Sequence, residues 1–319
     1  MKELSKESAT WHEVDPESAG QRIDNYLTKR LKGVPKSHIY RILRNGEVRI
    51  NSRRVAPDYR VQAGDRLRLP PVRTARPAPT PHLPVTRLNA EVLFEDDFLL
   101  VIDKPSGTAV HGGSGVSRGV VEQLRLERPG ARFLELAHRL DRDTSGVLML
   151  AKRRSALLDL HRQLREGSVR KLYLALVKGA WHDPKRSVKA PLRKFLLASG
   201  ERRVSAGGDG LPAHTIFRLQ RAWMRYSLLE AELKTGRTHQ IRVHLAHVGF
   251  PVAGDDKYGD FALNKQLARE GLKRMFLHAS RTVITHPQSG ALLAFEAPLP
   301  PELRQFIEAL AAPETQRAP

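Results

Sequence analysis

Ala137-His138-Arg139-Leu140-Asp141-Arg142-Asp143-Thr144-Ser145-Gly146 runs directly into Val147-Leu148-Met149-Leu150-Ala151. The first ten residues read as a polar, doubly charged loop, and the apolar run after it as a buried strand. Asp141 lies between Arg139 and Arg142. A carboxylate among guanidiniums stays charged, because a nearby opposite charge favours the ionised form. The same arginines suit phosphates, which they hold by forked hydrogen bonds. One loop therefore offers a reactive anion beside an anion-binding surface. A lone Asp between two arginines is ordinarily a surface salt-bridge loop, so the rest of the chain has to justify a chemical reading.

Outward from this loop the pattern is mostly strand. Glu91–Glu95 and Phe98–Ile102 read as short strands, Asp103-Lys104-Pro105-Ser106-Gly107 as a turn by composition, and His111-Gly112-Gly113 as a flexible loop. Val120–Arg128 reads as a helix, and another carries Leu157, Leu160 and Leu164. Lys171–Val177 alternates with period two, with Tyr173, Ala175 and Val177 on one face. His214–Leu219 and Tyr226–Leu233 are further strands. Lys234–His247 begins as a loop and becomes helical, with Ile241, Leu245 and Val248 apolar. His244 and His247 have a metal-like spacing, but no third ligand accompanies them and no metal is expected. Strand-like Thr282–Thr285 and Leu292–Phe295 precede an amphipathic C-terminal helix bearing Leu303, Phe306, Ile307 and Leu310. Strands with a few helices argue for an α+β domain.

The first seventy residues differ. A helix is expected from Gln21, with Ile23, Leu27 and Leu31 on one side, and a second from about Lys36 to a stop at Gly46. Short strands follow at Glu47–Asn51 and Arg66–Leu69. Between Gly20 and Arg73 there are 14 Lys/Arg against 4 Asp/Glu, so this sixth of the chain carries half of the net charge of +20. Six prolines then fall between Pro70 and Pro84, with no acid from Asp65 to Glu91, as in a stiff basic connection. The expected organisation is an N-terminal extension over 1–20, a small basic domain over 21–70, a linker over 71–90, a large domain over 91–311 and a tail over 312–319.

Composition narrows the class of partner. A chain of 319 residues holds roughly two domains, and its basic balance points to a polyanion, nucleic acid before membrane. There is no cysteine, which excludes disulfides and thiolate metal sites. Five acids and no apolar run occupy the first twenty residues, which is unlike a signal peptide. A cytoplasmic protein is expected.

Two resemblances give these readings a chemistry. Gln21–Leu27 and Lys36–Asn51 resemble the S4 RNA-binding domain, which implies that Lys36, Arg41, Arg44, Arg49, Arg53 and Arg54 face an RNA backbone. His138–Gly146, Lys171–Leu176 and Thr235–His244, in that order, resemble the RluA-type family of RNA pseudouridine synthases; Asp103–Gly107 and Phe276–Ala279 also match. The resemblance implies a mixed, mainly antiparallel sheet and no cofactor. Its implied partner is 23S ribosomal RNA or a large-subunit assembly intermediate, modified by a monomer that needs no protein partner. It makes Asp141 the catalytic aspartate, Tyr173 the tyrosine packed on the target base and Arg242 the partner of the aspartate. Arg139, Leu140, Arg142, Arg237, His239 and Gln240 are then expected at the substrate.

Such a reaction breaks the N1–C1′ bond of uridine, turns the base and rejoins it through C5. One ionised carboxylate near C1′ suffices, as nucleophile or as base toward the C2′ proton. Glycoside hydrolysis would instead want two carboxylates, and Asp143, the nearby second one, is expected to shape the loop. The alternatives are a non-catalytic RNA-binding or ribosome-assembly protein, an RNA glycosidase, and a synthase with another rRNA target.

Overall fold

The computed structural model describes residues 9–31, 33–72, 87–112 and 118–311, and the chain divides into two units, Met1–Val85 and Thr86–Pro319. Most of the expected linker, the C-terminal tail, Lys32 and the Gly113–Gly115 stretch lie outside the described residues.

The first unit comprises β1 (Thr10–Glu13), α1 (Ile23–Arg30), α2 (Lys36–Arg44), β2 (Arg49–Ile50), β3 (Arg53–Arg54) and β4 (Arg66–Leu69), with the strands in the order β1-β4-β2-β3. Ile23 and Leu27 of α1, Ile39, Ile42 and Leu43 of α2, and Ile50, Leu67 and Leu69 of the sheet share one core. The α2 helix ends where Gly46 takes a left-handed backbone, φ 69°, which costs glycine nothing. Asn51 and Ser52 are both left-handed, φ 48° and 68°, as a tight hairpin turn requires. The buried Asp65 carboxylate closes the unit by accepting from Asn51 Nδ2, the Tyr59 hydroxyl and the Gln62 amide. Part of the expected extension over 1–20 is built into this unit: β1 pairs with β4, and Val14 is buried in the core.

The second unit comprises β5 (Glu91–Glu95), β6 (Leu99–Lys104), α3 (Val120–Glu127), β7 (Glu135–Leu136), β8 (Ser145–Ala151), α4 (Arg154–Glu166), β9 (Arg170–Lys178) and β10 (Lys185–Lys189). It continues through β11 (Leu192–Leu196), β12 (Arg202–Ala206), β13 (His214–Ala222), β14 (Tyr226–Leu233), α5 (Gln240–His247), α6 (Phe261–Arg269), β15 (Leu277–Thr285), β16 (Leu292–Glu296) and α7 (Pro301–Ala311). The main sheet runs β10-β13-β14-β9-β15-β8-β6-β5, with β16 on β15 and β7 on β8. The β15–β8 pair is parallel, and the other pairs are antiparallel. The β11–β12 hairpin stands apart.

Every residue of β8 is buried, because both faces of the sheet are covered. Leu148 and Leu150 pack with Tyr173, Leu229, Ile241 of α5 and Val121 and Leu124 of α3. Val147 and Met149 face the other way, toward Ala156 and Leu160 of α4. Further along that face α7 packs Leu303 and Phe306 against Leu176 and Leu228. At the start of β8, Gly146 has φ 109°, and a Cβ there would lie 2.2 Å from the Ala279 carbonyl oxygen of β15. Only glycine lets the two strands meet at this point.

Two boundaries moved. Asp103-Lys104 continues β6 rather than opening a turn, and the Lys104 side chain is fully buried. Leu88, assigned to the linker, is buried in the core of the second unit, and its amide donates to Glu127 Oε1 at 2.6 Å. No helix among the described residues is long and apolar enough to cross a membrane.

Candidate active site

Three segments converge on one side of the sheet: the loop entering β8, Tyr173 on β9, and the β14–α5 connection. Together they line a cavity of about 530 Å³, a volume typical of small-ligand sites. Asp141 and Arg242 come from opposite walls. Arg242 Nη1 donates to Asp141 Oδ2 at 3.0 Å, an ion pair spanning a hundred residues of chain. Arg242 is 3% exposed because it lies on the first turn of α5, turned into the unit.

The rest of that guanidinium is held by a residue sequence reading missed. Arg242 Nε and Nη2 donate to the two oxygens of Asp255, each at 2.7 Å. Asp255 is fully buried and also accepts the amides of Lys257 and Tyr258. Burial alone would push the Asp255 carboxyl up; the Arg242 hydrogen bonds and charge outweigh it and hold it below the usual range. Burial likewise opposes the Arg242 charge, but Asp255, and then Asp141, raise its pKa. The guanidinium is thus a fixed cation, aimed by a buried fork at Asp141.

His239 forms the other side. Its backbone is left-handed, φ 53°, just before α5. Its Nδ1 meets the Tyr258 hydroxyl at 2.8 Å, and that hydroxyl accepts the Val204 amide. When the hydroxyl donates to Nδ1, the ring proton of neutral His239 is on Nε2, 3.9 Å from Asp141 Oδ1. Burial, more than any charge nearby, lowers the His239 pKa and favours this neutral form. The Tyr258 ring also carries the Arg242 guanidinium at 5.1 Å.

The Asp141 loop is pinned from below. The Lys104 ammonium donates to three carbonyls, Pro105 and Thr108 at 2.8 Å and Arg142 at 3.0 Å, which uses all its donors. Burial first, and Arg274 second, bring its pKa down to about 7. Ser106 Oγ donates to the Asp143 carbonyl. Arg274 Nη2 donates to Ser145 Oγ at 2.7 Å, so the hydroxyl proton goes to His278 Nδ1 at 2.9 Å, and His278 Nε2–H donates to the Ala297 carbonyl.

His278 is therefore locked neutral, and burial lowers its pKa from 6.5 to about 4. The unfolded chain takes up the proton first, so stability is full above pH 6.5 and falls as pH drops toward 4. The loss from this residue reaches about 3 kcal/mol. Urea denaturation between pH 7 and pH 4 should show that slope, and His278→Gln should reduce it, leaving the part that comes from His138, whose pKa burial likewise lowers, to about 3.

The other expected residues divide clearly. Arg139 is exposed at the cavity rim, and Leu140 is buried in the core beneath it. Arg142 turns away from Asp141 and pairs with Asp143 at 3.0 Å. Arg237 is exposed at the rim, its Nε on the Pro212 carbonyl. Gln240 is not free for a ligand. Its amide donates to the His214 carbonyl and Thr215 Oγ1, and its Oε1 accepts from Thr235 Oγ1 and the Arg237 amide. It shapes the connection instead. Tyr173 is nearly buried, with one face on the core and one on the cavity; burial, then the Asp141 charge, raises its pKa. Both His244 ring nitrogens are taken, by Thr215 Oγ1 and the Ala190 carbonyl. In the first unit Lys36, Arg41, Arg44, Arg49, Arg53 and Arg54 are all exposed.

The chain belongs to the RNA pseudouridylate synthase family, as its relatives show. That family matches residues 98–247, and an S4 domain matches residues 21–67. The chain is 54% identical to ribosomal large subunit pseudouridine synthase C of Salmonella typhi, over 93% of this chain and 95% of that protein. It is 53% identical to the protein of the same name from Escherichia coli (strain K12), with the same coverage. Human RNA pseudouridylate synthase domain containing 4 superimposes with a TM-score of 0.56 at 23% identity, over 69% of this chain and 93% of that one. Human RNA pseudouridylate synthase domain containing 1 does so with 0.55 at 24% identity, over 71% and 96%. At those identities the likeness shows the fold.

Proposed function

We propose that this protein isomerises uridines of 23S ribosomal RNA to pseudouridine, at three sites, acting in the cytoplasm as a monomer on the RNA or a large-subunit assembly intermediate. The observation that carries this reading is the Asp141–Arg242 pair at 3.0 Å inside the cavity. The target uridine leaves its stack and enters the cavity, at a cost of a few kcal/mol. Asp141 attacks C1′ or takes the C2′ proton, and on either route the N1–C1′ bond breaks. The uracil turns and C5 joins C1′, displacing the Asp141 carboxylate on the first route or with return of the C2′ proton on the second; C5 loses its proton and N1 gains one, so the product is an isomer and no redox step occurs. Arg242 keeps the carboxylate charged and oriented, and Tyr173 gives the free base a flat surface. Water displaced as the uridine fills the cavity leaves the base held until it rejoins. Arg139, Arg237 and His239 stand where the flanking phosphates and the ribose approach. Two carboxylates poised for hydrolysis do not fit this arrangement, since both oxygens of Asp255 bind Arg242 and Asp143 pairs with Arg142.

Mapping pseudouridine in 23S rRNA from a strain lacking the gene tests the proposal. The modifications should vanish and return with the wild-type gene. Unchanged modification in the deletion strain contradicts it.

The first unit is the recruiter in this account. Deleting residues 1–86, which spares Leu88, should weaken rRNA binding and flatten its dependence on salt, because fewer phosphates are neutralised. Filter binding across a salt series measures both. A truncated enzyme with wild-type affinity and slope would assign recruitment to the second unit.

A further inference from the structure

Arg49 and Arg54, expected above at an RNA backbone, share one face of the first unit's sheet with two residues that have no role so far, Trp11 and Arg68. Across β1-β4-β2-β3 the register aligns Trp11 with Arg68, Arg68 with Arg49, and Arg49 with Arg54. Directly paired residues point to the same side of a sheet. Their neighbours Ile50, Leu67 and Leu69 fill the core beneath α1 and α2, so this row projects away from the helices. Trp11 is 48% exposed, and Arg49 and Arg54 are exposed. Arg66, two residues from Arg68, lies on the same side with its guanidinium 5.6 Å from the Trp11 ring.

The row is built rather than floppy. Arg49 Nε donates to the Gly46 carbonyl at 3.3 Å, and Arg68 Nη1 to the Glu47 carbonyl at 3.1 Å. Arg54 lies across Gly46, where a Cβ would sit 2.4 Å from its Nε. Three guanidiniums thus gather at one turn, each with donors to spare. Among the described residues none of Arg49, Arg54, Arg66 and Arg68 forms an ion pair with an acid. The Glu47 carboxylate accepts from Asn45, and Glu13 lies at the margin, opposite Arg66.

We propose that this outer face binds a single-stranded segment of the RNA substrate, with an unpaired base stacked on Trp11 and consecutive phosphates on Arg68, Arg49 and Arg54. Planar forked guanidiniums select phosphate. An exposed tryptophan beside them selects a base that has left its helix. Four strands at about 4.8 Å spacing give the row a length of roughly 14 Å, room for a few nucleotides. The helix-borne Lys36, Arg41 and Arg44 are not part of this row, and Arg53, paired with Ile50, belongs to the other face. Trp11 lies outside the S4 match at 21–67, so the stacking surface is supplied by the strand that precedes it.

The inference rests on the RNA substrate proposed above, and the test separates the two. Full-length Trp11→Ala and Arg66→Gln/Arg68→Gln proteins are compared with wild type in filter binding to 23S rRNA fragments across a salt series. Trp11→Ala should weaken binding about fivefold or more, with its salt slope unchanged. The double variant should lower the slope by about one. Ultraviolet crosslinking of wild-type protein to the RNA, read by mass spectrometry, should place a nucleotide on the Trp11 peptide; this readout needs no variant to fold. Wild-type affinity and slope in both variants, or an unlinked Trp11 peptide, overturns the inference while leaving the enzyme's function standing. Loss of binding to anionic phospholipid vesicles with RNA binding intact also overturns it, in favour of a membrane. Failure of the wild-type protein to bind rRNA overturns both readings.

Discussion

Asp141→Asn is expected to abolish pseudouridine formation, with a fall in kcat on the order of 10⁴-fold or more, while the affinity for rRNA stays within a few-fold of wild type. Asn keeps the shape and one acceptor for Arg242 Nη1, but it can neither attack C1′ nor take a proton. The neighbouring carboxylates are paired with arginines, Asp255 with Arg242 and Asp143 with Arg142, so neither is expected to replace the lost one. Large losses of this kind are usual when the reacting group itself is removed. Single-turnover kinetics on 23S rRNA, with binding measured separately, distinguish this from a binding defect. A variant with substantial kcat would shift the chemistry to another residue.

Asp255→Ala should be damaging by a different route, through stability as well as rate. It leaves Arg242 buried with two of its three donor contacts gone. Removing one partner of a buried ion pair costs about 3–5 kcal/mol. For a unit of this size that lowers the melting temperature by roughly 10 °C. The guanidinium that survives is no longer aimed at Asp141, and a shift of about 1 Å at such a site costs on the order of 10²-fold in rate. Asp255→Asn retains one acceptor and should fall between the two. Calorimetry together with kcat and KM separates stability from positioning: kcat should fall in the folded variant well below its melting point, with KM little changed. A destabilised but fully active Asp255→Ala would confine this residue to the fold.

Much of the site was legible because its chemistry sits in short, compositionally odd stretches. A polar loop feeding five apolar residues marks β8, and the period-two run at Lys171–Val177 puts Tyr173 on the same face as Ala175 and Val177. The pairing of Asp141 with Arg242, rather than with its neighbours in sequence, came from the family resemblance; local spacing alone favoured Arg139 or Arg142. Asp255 gave no signal. It stands in a polar loop, and its burial comes from a guanidinium on α5, a tertiary fact without periodicity. Lys104 misled for a related reason. Asp-Lys-Pro-Ser-Gly has the composition of a turn, yet the lysine is buried because three carbonyls converge on its ammonium. The β10–β12 strands were missed because they are charged and exposed on alternating or both faces, as in Lys185-Arg186-Ser187 and Arg193-Lys194. The four residues of β1 were too few, amid acids, to read as a strand, though they complete the sheet that carries Trp11.

The most direct measurement is tritium release from 23S rRNA transcribed with [5-³H]uridine. Forming the C5–C1′ bond expels the C5 hydrogen, which neither RNA binding nor glycosidic hydrolysis does. The wild-type protein should release tritium with multiple turnovers and no free uracil, and Asp141→Asn should release none. Wild-type protein that leaves the label in the RNA, or an Asp141→Asn variant that releases it at the wild-type rate, would contradict the account.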